Sequence, residues 1–256
     1  MAGEDGGAAK AGVTKPMGLK LRLNVFHQVA HQRVYEAFVR FYQERGQAVI
    51  DSGDEYWRFE LHEQDNDWTV LALDGGWEKS VRREAALYVS RELNCTGFWF
   101  FVYDGDYWGY EMFHGGVAVD HFVQGEGSTS QEELGKWWLP NQICTGNPQV
   151  VAAAFPWLTT SAIAPYLVPA TPYEDYEDGN PDALIAVVKN RAALNLPPCL
   201  GDEFRLFDQC AILNFLRLLK IRVELRESVV TFLGSPWRSF WIEGQNTHSS
   251  HSRLYD

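Results

Sequence analysis

The chain is poor in the residues and patterns that announce chemistry. Its 256 residues hold four cysteines, Cys95, Cys144, Cys199 and Cys210, far apart and without a CxxC pair. That spacing excludes a disulfide scaffold and argues against a zinc site, which needs closely spaced ligand pairs. Cys95 and Cys210 fall at or inside helix-like patterns, where a small buried hydrophobe is the expected role. GxSxG, Q-A-C-x-G, a P-loop and a dinucleotide fingerprint are all absent, so no recognised nucleophile motif or phosphate cradle is written in the sequence. The longest apolar stretches, Phe98–Tyr103 and Gln149–Leu158, fall well short of the roughly 20 residues that span a bilayer. The N-terminal MAGEDGGAAKAGVTKPMG has no apolar core and does not read as a signal peptide. These absences lead to the expectation of a cytoplasmic protein with reduced thiols, no membrane segment and no cofactor.

Positive charge is nearly missing from the middle of the chain. Between Glu92 and Val188 thirteen Asp/Glu residues face one basic residue, Lys136, so the whole net charge of −12 sits there. The flanks carry twenty-one acids and twenty-one Lys/Arg and cancel. Seventeen aromatic residues share the acidic segment. Such a surface repels a phosphate backbone, which excludes a nucleic-acid groove, and suits a basic protein partner.

What is present reads as an α+β fold. Residues 1–17 are Gly/Ala-rich and are expected to form a disordered leader, as are 244–256 at the other end. Leu19, Leu21, Leu23 and Val25 alternate with Lys20, Arg22 and Asn24, a strand with one wet face. Val34, Phe38 and Phe41 then repeat at helical spacing, and Gly46 stops the helix. Strands are predicted at Gln47–Ile50, Tyr56–His62 and Trp68–Leu73, and a helix at Trp77–Leu93. A meander follows, Gly97–Tyr103, Tyr107–Phe113 and Val117–Val123, joined by Asp-Gly and Gly-Gly turns. The order β-α-β-β then β-α-β-β-β predicts a mixed or antiparallel sheet over 18–124 with helices on one face. Residues 125–182 read as an acidic, aromatic linker with short helices around Glu132–Trp138, Pro148–Phe155 and Thr160–Tyr166. Residues 183–243 read as a mainly helical C-terminal subdomain. Its helices are expected at Asp182–Leu194 and Asp202–Leu219, with short β elements at Ile221–Leu225, Val229–Leu233 and Trp237–Ile242.

Each polar cluster has an ordinary reading beside a functional one. Asp104-Gly105-Asp106 has the spacing of two carboxylates that share a metal, and it is also a hairpin tip. In EDYEDGNPD, placing Gly179 at the sharp turn of a calcium loop puts Tyr176 and Ile185 where carboxylates are required. An EF-hand is therefore excluded, and Glu174, Asp175, Glu177 and Asp178 read as a solvated loop or a contact for a basic partner. Asp74-Gly75-Gly76 is a capped turn without the lysine of a phosphate loop. His27 and His31, four apart, have a metal spacing only if both face inward. Glu111, His114, Asp120 and His121 on one hairpin could form a metal or acid–base cluster, with His114, Asp120 and His121 as candidate ligands. A β-α-β-β-β module here resembles the vicinal-oxygen-chelate fold, in which ligands come from such strands, although the chain lacks two copies of it.

The stretch FFVYDGDYWGYEMFHGGVAVDHF carries a resemblance. Asp104, Asp106, Trp108, Tyr110, Phe113, Gly116, Val119, Asp120 and Phe122 are similar to the meander of a group of uncharacterised bacterial cytosolic proteins. GDEF at Gly201–Phe204 fits the same group. In physical character the chain is similar to immunity proteins that neutralise secreted toxins. The resemblance to the first group carries no activity with it; the localised charge of −12 and the aromatic residues in the same segment lead to the expectation of a non-enzymatic module that binds a basic protein, such as an immunity protein. Its acidic contacts are expected at Asp104, Asp106, Glu174, Asp175, Glu177 and Asp178, and its aromatic anchors at Trp108 and Tyr110. The alternative is a metal-dependent enzyme or small-ligand binder using the Glu111/His114/Asp120/His121 hairpin. The oligomeric state is left open.

Overall fold

A computed structural model describes residues 21–51, 58–63, 67–74, 79–103, 107–125, 145–168, 197–204, 210–226, 229–232 and 237–242. The expected leader 1–17, the tail 244–256 and the helices predicted at Glu132–Trp138 and Asp182–Leu194 lie outside the described residues.

The first half follows the sequence pattern closely. Strand β1 (Leu21–His27) leads to helix α1 (His31–Gln43), then β2 (Val49–Ile50), β3 (Arg58–Glu63) and β4 (Trp68–Asp74). Helix α2 (Lys79–Leu93) precedes the meander β5 (Thr96–Tyr103), β6 (Tyr107–His114) and β7 (Val117–Gly125). Val34, Ala37, Phe38 and Phe41 of α1 are buried at the predicted 3–4 spacing. Gly116 (φ +83°) closes the turn into β7, where a Cβ would collide with the Arg91 side chain of α2.

The sheet is larger than 18–124. Eight antiparallel strands run in the order β2-β10-β3-β4-β1-β5-β6-β7. Strand β10 (Arg238–Ile242), expected in the C-terminal subdomain, lies between β2 and β3. Phe240 of β10 stacks on Phe59 of β3, with centroids 5.3 Å apart and planes at 5°. Strands β8 (Val223–Arg226) and β9 (Val229–Phe232) form a separate hairpin.

The expectation of helices on one face requires correction. Helices α1 and α2 do cover one face, over Phe26, Phe59, Leu61, Leu71, Trp99, Phe101, Phe113 and Val123. The opposite face is also covered, by a layer built from α3 (Pro148–Ala154), α4 (Thr160–Ile163), a 3-10 turn at Ala164–Tyr166 and α5 (Ala211–Leu218). Leu21, Leu23, Val25, Val70, Phe98, Phe100 and Val102 pack against Val151, Phe155, Ile163, Ile212 and Phe215 of that layer. The physical reason lies in β5. Phe98, Trp99, Phe100 and Phe101 are consecutive and all are at most 2 % exposed. Alternating side chains then demand cover on both sides. The described part of the acidic linker therefore contributes Val151, Phe155, Leu158, Ile163, Tyr166 and Leu167 to the core. Asn147 accepts hydrogen bonds from the Gln149 and Val150 backbone N–H groups and starts α3, with Pro148 in its first turn. Thr159 starts α4 in the same way, accepting from the Ala162 N–H.

Within 197–226 the described helix is α5, and it begins at Ala211 rather than Asp202. Asp202 instead ties a turn, accepting from the Cys199 N–H at 2.9 Å and the Tyr166 hydroxyl at 2.8 Å. Asn214 is 1 % exposed and donates to the Phe204 carbonyl.

Phe100 is buried beneath the second layer and not under α1 and α2. Its truncation to Ala is expected to cost about 3–5 kcal/mol through lost contact and residual cavity. Urea unfolding of Phe100→Ala against the parent chain measures it, and a loss below about 1 kcal/mol would be incompatible with this packing.

Candidate functional site

The hairpin β6–β7 carries most of the polar residues singled out in the sequence. Glu111 pairs with His121 and Met112 with Asp120 across the strands, with a bulge between Met112 and Phe113. Because successive residues point to opposite faces, Asp120 and His121 cannot share a site. The sheet separates them.

On the face of α2, Glu111 has no solvent exposure and meets Arg83 in a two-pronged pair. Arg83 Nε donates to Oε2 and Nη2 to Oε1, each at 2.6 Å. His121 Nδ1 lies 3.5 Å from Glu111 Oε1 and makes no hydrogen bond among the described residues. Burial raises the Glu111 carboxyl above its usual range, while Arg83 pulls it back. Burial, with a contribution from the Arg83 cation, lowers His121 to about 4, so its imidazole is neutral near pH 7.

On the other face Asp120 is held by three donors. Tyr110 donates its hydroxyl to Asp120 Oδ2 at 2.7 Å, the Asn147 N–H donates to the same oxygen at 3.0 Å, and the His121 N–H contributes as well. Burial raises the Asp120 carboxyl, and these donors oppose the shift. The Tyr110 phenol is pushed well up by burial and by the carboxylate beside it. Nearby, Trp108 Nε1 donates to Gln124 Oε1 at 2.7 Å, and Gln124 Nε2 donates to the Val168 carbonyl at 2.9 Å. Gly146 N–H donates to the His121 carbonyl at 2.7 Å, and Thr145 bridges to Phe122, which covers part of the β7 edge. The polar residues of this face fasten the second layer to the sheet.

The quartet proposed as a catalytic or metal cluster is thus dispersed. His114 is exposed at the end of β6 and shares a hydrogen bond with Thr96 Oγ1 at 2.8 Å. Among the described residues no three metal-ligating side chains come together. His27 and His31 also part company. His27 sits among Trp68, Phe155 and Trp157, whereas His31 packs at a tilt against Trp237, with centroids 4.2 Å apart, and meets Glu63 at 3.0 Å.

Two of the predicted anchors need correcting. Trp108 and Tyr110 are 3 % and 0 % exposed, so neither can meet a partner directly. Tyr110 stacks on Phe215 of α5 with planes at 4°. Alternation along β6 had placed both rings on one face, and the covering layer, invisible in a local pattern, buried that face. Asp104, Asp106, Glu174, Asp175, Glu177 and Asp178 lie outside the described residues. The residues flanking the first two, Tyr103 and Tyr107, are paired across β5 and β6. Sequence reasoning missed Arg83 as the partner of Glu111. The signal was Glu111 itself, an acid in mid-strand between aromatic neighbours, which requires a cation.

Comparison with known protein families, with characterised proteins and with solved structures returns no match. No helix among the described residues is long and apolar enough to cross a membrane.

Two expectations follow. Tyr110→Phe removes a donor from a buried carboxylate and should cost about 1–3 kcal/mol of stability, read by denaturant unfolding. For His121 the folded-state value is depressed below the ordinary 6.5. The unfolded chain therefore takes up a proton first, and stability is lost as pH falls from 6.5 toward about 4. Glu111 and Asp120, both raised, act in the opposite sense at lower pH. The difference between the parent and His121→Gln, followed by thermal unfolding across that window, isolates the histidine. The variant should show the flatter profile, and identical profiles would remove His121 as a contributor.

Proposed function

We propose that the chain is a non-enzymatic protein-binding module for a basic protein partner, of the kind formed by toxin-immunity proteins. The observation that carries this reading is the segregation of charge, with thirteen acids against one lysine between Glu92 and Val188. Only some of those acids are internal. Glu111 is neutralised by Arg83, and Asp120 is sealed under the second layer. Glu92 is exposed and paired with Arg40 at 3.2 Å. The remaining surplus belongs to Asp104, Asp106, Glu126, Glu132, Glu133, Glu174, Asp175, Glu177, Asp178 and Asp182. An acidic surplus of this kind acts on encounter, since complementary charge raises association rates and rim contacts add little to lifetime. Of the candidate catalytic side chains, in contrast, Glu111 and Asp120 lie on opposite faces and are committed to structural bonds.

The partner's binding kinetics provide the test. A partner recovered from native lysate should be basic, and its association rate should fall steeply as salt is raised. Neutralising Glu174, Asp175, Glu177 and Asp178 together should slow association more than it speeds dissociation, with folding stability nearly unchanged. With Trp108 internal, Trp108→Ala should lower folding stability instead of selectively shortening the complex lifetime. An acidic partner, or binding indifferent to salt, overturns the proposal.

A further inference from the structure

One half-buried titratable group takes no part in the fastenings described above. His27 closes β1, and its ring is surrounded by three others. Trp68 of β4 lies 5.0 Å away, and Phe155 and Trp157 of the second layer lie 5.3 Å away. The imidazole is thus the point at which the end of α3 and the turn after it meet the sheet. Its Nε2 is buried and has no hydrogen-bond partner among the described residues.

The charged groups around it are few. Asp67, just before β4, favours the imidazolium, but burial outweighs it and the ring's proton affinity is lowered. Lys220, after α5, holds its ammonium 4.7 Å from the Trp157 ring centroid, which adds positive charge to this corner. The stretch of the layer that lies over the imidazole, residues 148–163, contains no charged side chain. Nothing in that stretch can offset a proton on His27.

We propose that His27 is an acid-sensitive latch: protonation of its ring loosens the seating of residues 150–158 on the sheet while the sheet itself stays folded. The linkage has a definite sign. When the layer lifts, the ring is hydrated and regains its ordinary proton affinity, so acid favours the lifted form. Each unit by which the two affinities differ multiplies the opening equilibrium about tenfold once the pH is below both. Trp68, whose indole N–H donates to the Leu219 carbonyl at 2.8 Å, ties the same corner to the end of α5. Loosening should therefore reach Leu219 as well.

Amide hydrogen exchange on the full chain at about pH 7.5 and about pH 5, corrected for intrinsic rates, tests the latch. Protection of the amides of Val151–Leu158 should fall severalfold at the lower pH, while β5 and β6 amides keep theirs. His27→Phe should abolish that loss, and His121→Gln, on the other face, should retain it. Unchanged protection at the two pH values overturns the proposal. So does a loss that persists in His27→Phe, or increased protection, which would mean the three rings hold the imidazolium by cation–π attraction. If His27→Phe does not fold, the His27 ring signals of the parent chain decide by NMR titration. A midpoint below the ordinary 6.5 supports the latch, and one at or above it overturns it.

Discussion

The fold depends on one constraint, the double-sided burial of β5. Four consecutive aromatic side chains, Phe98 to Phe101, leave that strand no face that water can cover. Helices α1 and α2 take Trp99 and Phe101, and the layer of α3 to α5 takes Phe98 and Phe100. Gly97 lets the strands close up at the end of β5, since a Cβ there would run into the Val25 carbonyl and the Phe113 ring. Segments that look like linker in the sequence become part of the core because the strand requires them.

This double cover also decides what the polar residues of the meander can do. An acid in mid-strand between two packed layers must be paired or hydrogen-bonded. Glu111 meets the need with a bidentate arginine, and Asp120 with a tyrosine and two backbone donors. The two solutions lie on opposite sides of one sheet. They show how a single hairpin can hold Glu, His and Asp close in sequence without building a site. Perturbed proton affinities at such positions accompany structural burial as readily as catalysis.

For the binding reading, the consequence is a division of labour. Apolar and aromatic residues of β5 to β7 build the scaffold, and most of the acids left over lie outside the described residues. Exposed aromatic surface is modest among the described residues. Trp237, 39 % exposed and braced by His31 and Tyr35, is the aromatic residue most open to water among them. It immediately precedes β10, the strand that enters the sheet from the C-terminal part of the chain, far in sequence from the acidic segment.

Local periodicity was enough to place β1 to β7, α1 and α2, because each has an alternating or 3–4 pattern that water and the chain's own sterics impose without help from distant residues. The buried cysteines and the turn at Gly115-Gly116 were legible for the same reason. The long-range pairings were not. Inserting β10 between β2 and β3, laying 145–168 over the sheet and assigning Arg83 to Glu111 each join residues separated by tens to hundreds of positions. Trp108 and Tyr110 show the limit most clearly. Alternation fixed that they share a face, but whether that face meets water or α5 depends on what else the chain brings to it. Burial is a property of the assembled layers, and only the tertiary structure could decide it.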